Sequence, residues 1–148
     1  GSPRRRCGST GGVTGQTDLA AMLASLTVSR RPDPYTFVVG DWPTLAPGAA
    51  ASLTEPEGTT LVVTVEAAEA AGAPVGFRAA WLTVDVHSAL DAVGLTAALS
   101  GALAATGIAC NVLAGYHHDH LLVPWERADA AVAAIAALRS GNRSAPVL

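Results

Sequence analysis

Two groups between Val86 and Ala131 hold residue types whose spacing could do chemistry. The first is Asp91-Ala92-Val93-Gly94-Leu95, which opens a helical pattern with apolar residues at Val93, Leu95, Leu99 and Leu103. Asp91 stands where a helix N-cap is expected, and Gly94 falls in the first turn. A glycine there lets another molecule approach the backbone, and free first-turn amides together with the helix dipole attract a carboxylate. The second is Tyr116-His117-His118-Asp119-His120, the densest run of imidazole and carboxylate in the chain. In extended backbone His118 and His120 share one face and His117 and Asp119 the other. Asp119 and His118 suit a turn that bonds to exposed strand ends.

Other catalytic patterns are thin. His87 and Ser88 are adjacent, so on a strand they point to opposite faces, against a nucleophile–base pair. The chain has no Gly-x-Ser-x-Gly elbow, phosphate loop, dinucleotide fingerprint or helical His-Glu-x-x-His. Glu55 and Glu57 flank a turn and read as solvated. Trp81 and Trp125 read as core or dimer-seam residues. No catalytic residue is assigned and the chain is not expected to be an enzyme.

The elements that position these groups follow from periodicity and turn chemistry. Residues 1–16 read as a disordered Gly/Ser/Thr-rich leader, and Thr17-Asp18 as the cap of a short helix over Leu19–Leu26. Arg31-Pro32-Asp33-Pro34 breaks that helix. Strands are expected at Tyr35–Val39, Ala51–Glu55 and Thr59–Val65, the last two joined by Glu55-Pro56-Glu57-Gly58. Glu66–Ala71 reads as a short helix closed by Gly72. Ala79–His87 reads as a strand with Trp81, Thr83, Asp85 and His87 on one face and Leu82, Val84 and Val86 on the other. A long helix over Asp91–Thr106 ends at Gly107. Strands follow at Ile108–Ala114 and from His118 to Val123, then a helix over Trp125–Leu138 and a short strand over Ala145–Leu148.

Composition narrows the class. The 148 residues are 50% hydrophobic and 14% charged, with net charge −3, so a packed core is expected and global disorder is not indicated. All nine basic residues are arginine, three of them at Arg4, Arg5 and Arg6, which offers no basic face for nucleic acid. No apolar run reaches membrane-spanning length, so a cytoplasmic protein without membrane association is expected. Cys7 and Cys110 make no disulfide framework, and Cys110 reads as apolar filler in a buried strand.

The chain also echoes itself. Leu61–Ala71 aligns without gaps on Leu121–Ala131, pairing Leu61 with Leu121, Val63 with Val123, Glu66 with Glu126 and Ala68 with Ala128. This points to duplication of a small α/β unit, with an N-terminal half at 17–78 and a C-terminal domain at 79–148. The first half lacks a strand before its opening helix, so the halves are expected to share or exchange strands.

A strand, the Asp91-x-x-Gly94-Leu95 turn, a helix ended by Gly107-Ile108 and a further strand together resemble the ACT-domain signature, with Val93 where that family has Pro. Cys110 to Tyr116, His118 to Leu121 and Val123-Pro124 resemble a subgroup of small bacterial double-ACT proteins. The resemblance implies an α+β, ferredoxin-like βαββαβ sandwich in two tandem units. It also implies dimerisation, a homodimer being expected, and an amino-acid-like effector as partner, with no cofactor. Carried over by position, Asp91, Val93, Gly94 and Leu95 form the ligand-binding turn, and Asn111 is the candidate polar group on the following strand. In such a sheet His87 would lie near His118 or His120, and the three could bind zinc with an open position. The expected function is therefore an effector-binding regulatory module. The alternatives are a structural protein without ligand and a metal-binding protein using His87, His118 and His120.

Overall fold

A computed structural model describes residues 15–86 and 93–141. Its seven strands are β1 (Thr27–Arg30), β2 (Tyr35–Val39), β3 (Ala51–Glu55), β4 (Gly58–Thr64), β5 (Ala79–Asp85), β6 (Asn111–Ala114) and β7 (Asp119–Pro124). The helices are α1 (Gly15–Ser25), α2 (Val65–Ala70), α3 (Leu95–Ala105) and α4 (Ala128–Ala137). All strand pairs are antiparallel and run in the order β3-β4-β2-β5-β7-β6, with β1 also paired to β5.

That order resolves into two ferredoxin-like units sharing one strand. In the first, β2, β3 and β4 are followed by α2, and β5 lies beside β2 as the fourth strand. In the second, β5 is the opening strand, followed by α3, β6, β7 and α4, and β1 takes the fourth-strand place against it. Along one edge of β5, Arg30 stands opposite Leu82 and Tyr35 opposite Ala79. Pro32 and Pro34 fall between them. Neither has an N–H to give the ladder, so β1 and β2 are two strands rather than one. The Arg31 N–H still reaches the Trp81 carbonyl at 3.0 Å.

The helices pack on one side of the sheet. In the second unit Leu82 and Val84 of β5 and Leu121 and Val123 of β7 meet Leu99 and Leu103 of α3, Ile135 of α4 and Leu23 of α1. The first unit has a smaller core of Val38, Leu45, Leu61, Val63, Ala68 and Ala73. The paired positions of the internal echo are buried alike: Leu61 with Leu121, Val63 with Val123, and Ala68 with Ala128. The opposite side carries Tyr35, Val62, Ala79, Trp81 and Leu122 in a cluster without helices.

Several expectations need correction. Helix α1 already begins at Gly15, so Thr17 and Asp18 lie inside it rather than capping it. Strand β1 has no counterpart among the expected strands, because four largely exposed residues next to prolines carry almost no periodic signal. Helix α3 starts at Leu95 with Gly94 as its N-cap, so Asp91 does not fill that role. Cys110 precedes β6 instead of lying in a strand and is only half-buried, although burial pushes its thiol pKa up. The Ala145–Leu148 strand lies outside the described residues, as do His87 and Asp91.

Candidate functional site

Gly94 makes the corner where the chain turns into α3. Its φ of 97° is left-handed backbone that L side chains rarely adopt, and among the described residues no side chain caps the helix at this end. Gly94, lacking a side chain, supplies no cap of its own to the first-turn amides. Leu95 is 4% exposed and starts the buried i, i+4, i+8 stripe with Leu99 and Leu103 that fixes the helix on the sheet. Leu95 thus anchors the corner, while Val93, 80% exposed, projects outward.

The corner opens onto a hollow of about 820 Å³ between α1, α3 and α4. Small residues of α3 (Ala97, Ala98, Gly101) face small residues of α4 (Ala130, Ala133, Ala134), and Leu19 and Leu23 of α1 form one wall. A Cβ at Gly94 would lie 3.2 Å from Leu19 Cδ2, a contact that Leu19 could relieve by a small shift, so it is the backbone shape that calls for glycine here. The α1 wall is invisible in the sequence: nothing in the spacing of Leu19 and Leu23 says which helix they will meet.

Asn111 lies elsewhere. It pairs with Leu122 on edge strand β6, and alternation puts it on the face of Leu113, while Val112 packs toward the helices. Its side chain therefore projects from the sheet face opposite Gly94. The structure brings together Val93, Gly94 and Leu95 but not Asn111.

The histidines form a different arrangement. Register places His120 beside Thr83, and His118 Nδ1 comes within 3.5 Å of an Asp85 carboxylate oxygen. The Trp81 indole N–H donates to His120 Nδ1 at 3.1 Å, and the Thr83 hydroxyl lies 3.1 Å from the same nitrogen. An indole can only donate, so Nδ1 is the unprotonated nitrogen. The His120 pKa is lowered, first by burial, then by the charges of Arg31 and His118, with Asp119 opposing. Arg31 lies over the Trp81 ring at 4.1 Å from its centre. Among the described residues, no group of three or more His, Cys, Asp or Glu is placed to hold a metal ion. Nor is any helix among them long and apolar enough to cross a membrane.

Two ACT-domain family models match the chain in tandem, one over residues 14–80 and the other over 77–137, meeting on β5. Among solved structures, a Vibrio cholerae protein of unknown function is 36% identical, with a TM-score of 0.78 over 85% of this chain and 99% of that one. An Agrobacterium tumefaciens protein shares the fold at 15% identity and TM-score 0.56, covering 77% of this chain and 89% of its own. The regulatory subunit of aspartate kinase from Thermus thermophilus shares it at 17% identity and TM-score 0.51, over 73% and 92%. No curated protein matches in sequence. ACT domains are in general regulatory modules that bind small molecules, often amino acids. With matching models for both units and a similar solved structure over 85% of its length, the chain belongs to the ACT-domain family as a tandem pair.

Proposed function

We propose that this chain is an effector-binding regulatory module without catalysis of its own, and that its ligand is an amino acid or a similar small acid held at the Gly94 corner. The observation that carries this reading is the left-handed glycine start of α3 beside an 820 Å³ apolar hollow. The effector carboxylate would sit on the backbone amides from Val93 to Leu95, and its side chain would occupy the space between Leu19, Leu23 and the small residues of α3 and α4. Asp91 belongs to the same turn by sequence. Ligand would bias the docking of α1 against α3 and α4, or of two copies of the chain in a homodimer, which gives regulation its physical content.

Thermal unfolding in the presence of each of the twenty amino acids at millimolar concentration tests the reading. A ligand at ten times its Kd stabilises by roughly 1.4 kcal/mol, a rise of about 3 °C in Tm for a domain of this size. No rise with any of them would remove the amino-acid sensor reading.

A further inference from the structure

Two neighbouring arginines leave the end of β1 toward opposite faces of the sheet. Arg30 lies over the Trp125 ring, 4.6 Å from its centre, and its Nη1 donates to an Asp129 carboxylate oxygen at 3.2 Å. Arg31 lies over Trp81 at 4.1 Å and near Tyr35 at 5.6 Å, and its Nη1 donates to the Tyr35 hydroxyl at 3.2 Å. Both cations lie over an indole ring, but among the described residues only Arg30 has a carboxylate partner. Among the described residues no carboxylate lies within ion-pair distance of Arg31, although Asp33 is two residues away and Asp85 shares its sheet face.

The platform beneath Arg31 is rigid. Tyr35 and Trp81 are 7% and 2% exposed, their ring centres are 5.1 Å apart, and the indole is tied to His120. The Arg31 backbone is tied to the Trp81 carbonyl. The guanidinium thus rests on a fixed aromatic platform before any ligand arrives, with its remaining N–H donors unclaimed by an acid among the described residues. A planar donor fork fixed in this way matches two oxygens of a carboxylate or phosphate. Partial burial of the platform strengthens such a contact relative to one in open water.

We infer that the helix-free face of the sheet carries a second site, where Arg31, backed by Trp81 and Tyr35, binds a small oxyanion. It is separate from the Gly94 corner, which lies on the helical side, and does not depend on it. The shared chemistry is an anionic group with two coplanar oxygens, supplied by a metabolite carboxylate or by a phosphate.

The test is titration of the full chain, with 15N-labelled tryptophan, by sodium phosphate and separately by sodium acetate, each against chloride at matched ionic strength. The Trp81 indole cross-peak is expected to shift saturably with at least one anion, and the anion with the tighter titration identifies the source. Arg31→Gln is expected to weaken binding about tenfold or more, and Arg31→Lys, which keeps charge but loses the fork, by less. Tyr35→Phe, which frees one N–H and keeps the ring, is expected to retain binding. A shift that does not saturate, that chloride reproduces, or that survives in Arg31→Gln overturns the site. Should Arg31→Gln fail to fold, equal binding by wild type and Arg31→Lys overturns the proposed fork.

Discussion

After β5 the second unit passes through Gly94 into the eleven-residue helix α3, whereas after β2 the first unit reaches only a 3-10 turn at Ala46–Gly48. Both connections are anchored by a buried leucine, Leu95 at 4% and Leu45 at 5% exposure. Behind Leu95 come Leu99 and Leu103, each completely buried, so a full helix covers the sheet. Behind Leu45 nothing comparable follows, and the first core is completed by α2 and the Leu45–Ala49 loop. The same strand plan therefore yields one unit with a long helix, a left-handed glycine at the helix start and a hollow, and another whose equivalent connection is closed by a short turn. The tandem plan supplies the frame, and the helix after the first strand decides which unit has a corner beside a hollow.

Because β5 pairs with strands of both halves, they are expected to unfold as one cooperative body, and the largest expected effect tests that. Leu99→Ala should cost about 4 kcal/mol and Leu45→Ala about 2 kcal/mol, because a completely buried helix residue leaves a cavity that its neighbours fill poorly. Both should lower a single urea midpoint. Two separate transitions in Leu45→Ala would show that β5 does not couple the units.

Gly94→Ala comes next, at about 1–2 kcal/mol, from the left-handed backbone. It should also abolish any effector-linked rise in Tm, which separates the corner from an ordinary turn. Thr36 sharpens the contrast from the first unit. Its side chain is completely buried, and its hydroxyl has no hydrogen-bond partner among the described residues. Thr36→Val should therefore stabilise the protein, by about 1 kcal/mol in urea unfolding.

The smallest effect belongs to His120. Its folded pKa lies below the ordinary 6.5, so the unfolded chain takes up the proton first as pH falls. Stability should be at its full value above about pH 6.5, decline as pH drops toward the folded pKa, and level off below it. Protonation would also put a proton on the nitrogen that accepts from Trp81. His120→Gln should flatten that part of the pH profile in thermal unfolding. An unchanged slope would assign it to another group.

What can be read in the residues depends on how local the cause is. Tyr35–Val39 and Ala51–Glu55 have the bounds expected from their apolar runs and flanking turns. The alternation along β5, with Trp81 and Thr83 opposite Leu82 and Val84, is set by strand period alone. The echo of Leu61–Ala71 in Leu121–Ala131 announces the duplication, because equivalent strand-to-helix junctions need the same buried positions. The start of α3 falls later than expected because Asp91 is a good capping residue, and propensity does not reveal that the chain waits for Gly94 to turn.

The sequence by itself determined the two-unit plan, the strand faces and the glycine at the start of α3, since each follows from side-chain period or backbone freedom within a few residues. Only the tertiary structure decided that β1 completes the second unit, that Leu19 walls the hollow, that Asn111 points away from it, and that Arg31 meets Trp81 from far along the chain. Those contacts depend on which edges and faces meet when the sheet assembles, and local residue preferences do not carry that information.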